Sequence, residues 1–260
     1  KLMTLTSLEP ELLFLCFIRV SGFVFAAPVF GSKLVPRVVK IWFSILLAFA
    51  LMPMVSVEGG IPSFGSISYF ILGAREALLG ILMGFICTFF VHAVEFAGHA
   101  LGLQMGFAAS SLFDPLSKTD VSVVGRFQGM LAVVLFLTMN GHHILLSSFV
   151  SSYSVVPPAV AGFSGAGVGQ LVSATANIFT MAVRISIPVL SAIFLVEVGL
   201  ALLAKTVPQM NIFVVGFPVK IAVGLAVLAF SIPYFTYILA GAITGTNSDL
   251  KSVIGVLSGG

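Results

Sequence analysis

Long uncharged stretches divide this chain. Residues 41–57, 59–74, 77–94, 96–113, 127–183 and 221–248 contain no Asp, Glu, Lys or Arg. A helix that crosses a hydrocarbon core needs about 20 mostly apolar residues, and most of these stretches qualify alone or joined to a neighbour across one charge. Six hydrophobic blocks result, at about 11–31, 38–57, 67–106, 122–151, 170–204 and 211–245. Strands of a membrane barrel would be about ten residues of alternating polarity, whereas Ile41–Val57 and Ile221–Phe230 are apolar on every face. The pattern predicts an all-α membrane protein.

The third block is too long for one ordinary span. At 1.5 Å per residue, residues 67–106 would reach roughly 60 Å, about twice the hydrocarbon thickness. Two readings follow: a break at Gly73, just before the Arg75-Glu76 pair, or one helix that leaves the bilayer and packs on protein. Pro28, Pro188, Pro218 and Pro233 lie within blocks, where a missing N–H kinks or interrupts a helix. Pairs of small residues recur at Gly80/Gly84, Gly98/Gly102/Gly106, Gly125/Gly129 and Gly241/Gly245, each a place where two helix backbones can approach closely.

Composition sharpens this picture. Of 260 residues, 59% are apolar and 8% charged, where soluble domains carry about 25% charged residues. That balance excludes a disordered chain, a nucleic-acid binder and a disulfide scaffold. Cys16 and Cys87 each sit in an apolar run and read as small core residues. Leu12–Ile18 resembles the core of a signal peptide, but Glu9, Glu11, Arg19 and Pro28 speak against cleavage and for a retained first helix. Lys33, Arg37 and Lys40, with no acid among them, place the first connection in the cytoplasm and the N-terminus outside. Alternation then puts the 106–120 and Lys205 loops inside, and the C-terminus outside.

Candidate chemistry is sparse. His92, Glu95 and His99 share one helical face but match no zincin helix, so Glu95 reads as a hydrogen-bonding group in a packed interface. His142 and His143 are adjacent and point about 100° apart on a helix. No metal, cofactor or catalytic residue is expected. Arg19, Glu95, Arg126, Arg184, Glu197 and Lys220 are the charges within blocks. An ion-coupled carrier would concentrate such groups at one midplane site; their dispersal suits pairs that fix helix register or meet partner subunits. A multi-pass carrier of small solutes or ions is the alternative reading.

Gly106–Asp120, GFAASSLFDPLSKTD, is the most informative loop. It mixes small residues with Phe107, Leu112 and Phe113 and turns at Asp114-Pro115. It reads either as an interfacial loop dipping aromatics into headgroups or as a hydrophobic constriction that closes a pore by excluding water.

Several stretches together carry a family likeness. Leu195–Gly224, LVEVGLALLAKTVPQMNIFVVGFPVKIAVG, resembles the signature of the FliR/SctT family of type III secretion export-gate membrane proteins. Glu95–Pro115, Asn140-Gly141-His142 followed by Pro157, and the spacing of Pro28, Gly31, Pro36 and Lys40 resemble the same family in the same order. The central segment resembles the flagellar branch more than the virulence branch. The resemblance implies one copy assembled with several copies of FliP and FliQ, with FlhB nearby, into a gate of the bacterial inner membrane and flagellar basal body that passes unfolded flagellar proteins. It implies a FliP-like part over 1–165 and a FliQ-like helical hairpin over 166–250. The 106–120 segment would plug the closed channel, with Met105, Phe107, Leu112, Phe113, Asp114 and Pro115 as gating residues. Gly98, Gly102, Gly106 and Glu95 would serve subunit packing, and Pro208, Gln209, Met210 and Asn211 would form a cytoplasmic hairpin tip. Apolar surface would then face partner subunits as well as membrane lipid.

Overall fold

The computed structural model describes residues 10–55, 61–107, 122–158 and 165–258. All the regular structure among them is helical: α1 (Pro10–Ala26), α2 (Arg37–Leu51) with a short 3-10 turn over Met52–Met54, α3 (Ile67–Met105), α4 (Val123–Thr138), α5 (Gly141–Val155), α6 (Gly165–Thr206), α7 (Ile212–Phe230) and α8 (Ile232–Ser258). The six hydrophobic blocks are therefore helices, two of them divided.

The divisions have local causes. In the fourth block, Asn140 adopts a left-handed conformation with φ of 56°, which a helix cannot continue through and which Asn tolerates better than most residues. In the sixth, Ser231 separates α7 from α8 just before Pro233, and the axes of Val214–Phe230 and Ile232–Thr246 differ by 57°. Pro188 and Pro218 lie inside α6 and α7 without ending them. Pro28 falls beyond the end of α1.

No break occurs at Gly73. α3 runs unbroken for 39 residues, about 58 Å, so the single overlong helix is the reading that holds. Gly73 sits among helix-forming residues with no Pro beside it, so one glycine costs only about 1 kcal/mol there. Among the described residues, three helices are individually long and apolar enough to cross a membrane: α2 with its 3-10 turn, α3 and α6. The number rises to five if α4 with α5 and α7 with α8 each count as one span. The block expected at 11–31 yields a helix of only 17 residues, roughly 26 Å.

The chain forms two compact units. The first comprises the described parts of 1–89, 140–175 and 244–260. In it α1 packs on the first half of α3 across Gly22, Gly80 and Gly84; a Cβ on Gly84 would lie 2.8 Å from the Phe23 carbonyl oxygen. That close approach is what the small residues permit. Arg19 of α1 is fully buried and forms a two-pronged ion pair with Glu76 of α3. Its remaining guanidinium nitrogen donates to the Val156 carbonyl at 2.9 Å, and the Tyr153 ring lies 4.4 Å from its central carbon. Fork geometry, a carbonyl and an aromatic face together satisfy a charge that could not otherwise stay buried. α2 is inverted relative to a soluble helix. It buries Lys40, Ser44, Ala48 and Leu51 and exposes Val38, Trp42, Leu46 and Phe49.

The second unit comprises 90–139 and 176–243. Its core is Leu101, Met105, Val124, Val189, Ile193 and Leu228, with Phe107 and Leu190 packed against it. The second half of α3 crosses α4 at glycines, and α6 returns through a five-residue turn into α7.

Candidate functional site

The end of α3 is fixed by a glycine cap. Gly106 has φ of +90°, and around it the Phe107 N–H donates to Gly102 O at 3.0 Å while the Gly106 N–H donates to Leu103 O at 3.1 Å. This pair of bonds is the Schellman arrangement, which requires a left-handed residue that only glycine adopts without strain. Met105, one residue earlier, is fully buried and lies against Gly224 of α7, where an added Cβ would stand 2.6 Å from its methyl carbon. The Phe217 ring of α7 rests on Gly106. α7 thus grips the last turn of α3.

The start of α4 is tied to the same helix. Ser122 caps α4, its Oγ accepting the Gly125 N–H at 3.2 Å, and the same hydroxyl donates to the Gly98 carbonyl at 3.2 Å. Gly98 and Gly125 meet backbone to backbone, with 2.5 Å between a would-be Cβ on the first and the Cα of the second. Gly106 and Ser122, described residues on either side of 108–121, are therefore both held in the second unit, the first under α7 and the second on α3. Leu112, Phe113, Asp114 and Pro115 lie outside the described residues.

Of the expected packing residues, Gly98, Gly102 and Gly106 have their close neighbours inside this chain: Gly125, Ser122 and Phe217 respectively. Glu95 is about half exposed, 3.4 Å from His92 Nδ1, and its side chain lies beside Gly129. His99 is exposed as well. Among the described residues no three His, Cys, Asp or Glu side chains are grouped to hold a metal ion.

Pro208, Gln209, Met210 and Asn211 form the turn between α6 and α7, with Pro208, Gln209 and Asn211 exposed. The Asn211 side chain accepts the Val214 N–H at 3.4 Å, so Asn211 starts α7 in the manner of an N-cap. Further along this hairpin, Lys220 Nζ donates to Glu197 Oε1 at 2.6 Å. Beside that pair, toward the turn, lies a cavity of about 420 Å³ lined also by Leu200, Ala201, Ala204, Ile212, Gly216 and Phe217. Two of the charges within blocks are thus paired across the hairpin, as their dispersal suggested. Arg126 and Arg184 are exposed.

Sequence reasoning missed three contributors. Glu76 was legible only as half of an Arg75-Glu76 interruption, Ser122 only as the first residue of the fourth block, and Phe217 only as part of a signature. For Ser122 a signal existed: a serine just before the apolar Val123-Val124 pair is an N-cap pattern.

The architecture is that of a multi-pass, all-α membrane protein whose helices meet through glycine crossings and in-span ion pairs. Residues 11–246 match the family model of bacterial export proteins, family 1. The chain is 34% identical over 211 residues to the flagellar biosynthetic protein FliR of Bacillus subtilis (strain 168), covering 80% of this chain and 81% of that one. It is 32% identical over 211 residues to FliR of Escherichia coli (strain K12), at 81% and 80% coverage. The FliR of Pectobacterium carotovorum subsp. carotovorum is 30% identical over 205 residues, at 79% and 78%. The chain belongs to the bacterial export proteins, family 1, on its flagellar FliR branch. It is a membrane component of flagellar biosynthesis and export.

Proposed function

We propose that this chain is a core subunit of the flagellar type III export gate in the bacterial inner membrane, at the basal body. It assembles there with several copies of FliP and FliQ, beside FlhB, and forms part of the channel that passes unfolded flagellar proteins. Residues 1–165 act as the FliP-like part and 166–250 as the FliQ-like hairpin, whose turn at Pro208–Asn211 faces the cytoplasm. It does no catalysis; the segment 106–120 plugs the closed channel.

The observation that carries this reading is the double anchoring of that segment. Gly106 under the Phe217 ring fixes one root, and Ser122 on Gly98 fixes the other. With both ends of the segment held, it can return to one position, as a plug must. Phe107, Leu112 and Phe113 supply the apolar surface that would exclude water from a narrow passage. The glycine crossings let the helices carrying the plug sit close together, leaving the exposed apolar faces of α2 and α6 for FliP, FliQ and lipid.

Deleting Phe107–Phe113 tests the proposal. In cells that assemble the variant with its partners, the expected result is leakage of ions and small solutes. An assembled variant with unchanged membrane permeability would remove the plug. A carrier would instead reveal itself if the purified chain, alone in liposomes, exchanged a solute.

A further inference from the structure

α6 is a long apolar helix with little of its surface covered. Along one side of it Asn177, Thr180, Arg184, Ile187 and Ser191, at helical spacing, are all exposed. Asn177 and Arg184 are seven residues apart, two turns along one face and roughly 10 Å from each other. Val183 and Ile187, beside Arg184, are exposed apolar side chains.

The other polar side chains nearby satisfy themselves. Thr180 Oγ1 donates to Ala176 O at 3.4 Å and Ser191 Oγ to Ile187 O at 2.7 Å. Asn177 and Arg184 have no hydrogen bond or ion pair among the described residues. Pro188 adds a third unmet group, because it has no N–H to give to the carbonyl of Arg184 four residues earlier. One short stretch of an apolar helix thus presents a guanidinium, an amide and a backbone carbonyl outward. No charge precedes Arg184 within α6, and about 20 Å of uncharged helix separates it from Glu197. In a hydrocarbon setting such groups need partners.

We propose that this face of α6 is the docking surface for a transmembrane helix of a partner subunit that presents an Asp or Glu to Arg184 and a second polar group, two turns away, to Asn177. Charge complementarity selects the carboxylate, which receives a guanidinium through two parallel bonds. The Asn177 contact then sets the register. That the partner is another membrane protein of the export gate rests on the function proposed above.

The test places a photo-crosslinking residue at Ile187 in the full chain, expressed with the complete export system, and identifies the crosslinked peptide. Arg184→Glu and Arg184→Leu are measured in parallel for co-purification of the export membrane proteins and for heat stability of the isolated chain. Expected are a crosslink to a membrane segment containing Asp or Glu and a loss of co-purified partner of about tenfold or more in Arg184→Glu. Changing that carboxylate to Arg should restore assembly, with the isolated chain as stable as the unmodified one. Normal assembly of both variants overturns the inference, as does a crosslink to lipid alone. Reaction of Arg184→Cys in the assembled gate with a water-soluble thiol reagent also overturns it, since the face would then line an aqueous passage. If the unmodified chain does not co-purify with export proteins, the proposed function falls. The crosslink from 187 then still decides the inference by whether its target helix carries the acid.

Discussion

The Ser122 hydroxyl joins α4 to the carbonyl of Gly98 on α3 at 3.2 Å while capping its own helix at Gly125. One oxygen therefore holds a helix start and a helix crossing together. The two roles separate by substitution. Ser122→Ala removes both, costing about 1 kcal/mol for the cap alone. Ser122→Asp keeps a cap acceptor but loses the donor to Gly98. If the tie positions the plug, both variants should raise ion permeability of the assembled gate, less than deletion of 107–113 does. Normal permeability in Ser122→Asp would show that only the cap matters.

Arg19 and Glu76 predict a different kind of response. Each is buried, so removing one partner strands the other. Glu76→Leu and Arg19→Met should each destabilise the purified chain by about 3–5 kcal/mol, whereas the double variant should recover most of that loss. Heat denaturation in detergent reads this directly. Additive losses would show that the pair is not a unit and that Arg19 depends mainly on Tyr153 and Val156.

The glycines separate into sites with and without space. A Cβ at Gly98 would stand 2.5 Å from Gly125 Cα, while one at Gly169 would meet nothing within 4 Å. Gly98→Ala should therefore destabilise the isolated chain, by about 1–3 kcal/mol for overpacking, and Gly169→Ala should stabilise it by up to about 1 kcal/mol through helix propensity. Melting of the isolated chain distinguishes this from a role confined to subunit contacts. In that case Gly98→Ala would melt normally and fail only in assembly.

How much was legible depended on the distance over which each signal acts. Uncharged runs located the helical blocks because helix formation and burial are read from neighbouring residues. The Asn140-Gly141 step was visible, yet the apolar residues around it masked a break that depends on one left-handed residue. At Gly73 the opposite occurred: a glycine beside two charges suggested a break, but Glu76 is neutralised by Arg19, 57 residues away, and the helix continues. Pairings of that kind, like the seat of Phe217 on Gly106, need the fold before they can be seen. The glycine ladder announced a close crossing without saying that its nearest partners would lie in the same chain.

Phe217 and Gly106 provide the most direct probe of how α7 holds the loop root. Gly106→Ala should suffer twice. A left-handed residue with a Cβ costs roughly 1–2 kcal/mol, and the methyl would also run into the Phe217 ring. Phe217→Ala removes the second penalty and leaves the first, enlarging the 420 Å³ cavity that Phe217 lines. The double variant should therefore be more stable than the sum of the single losses predicts, with a coupling of about 1–2 kcal/mol. Permeability of the assembled gate should follow the same order, because a root freed from the ring no longer returns the segment to one place. If the two losses simply add, Phe217 does not bear on Gly106. The fixation of the loop would then rest on Met105, Gly224 and Ser122 alone.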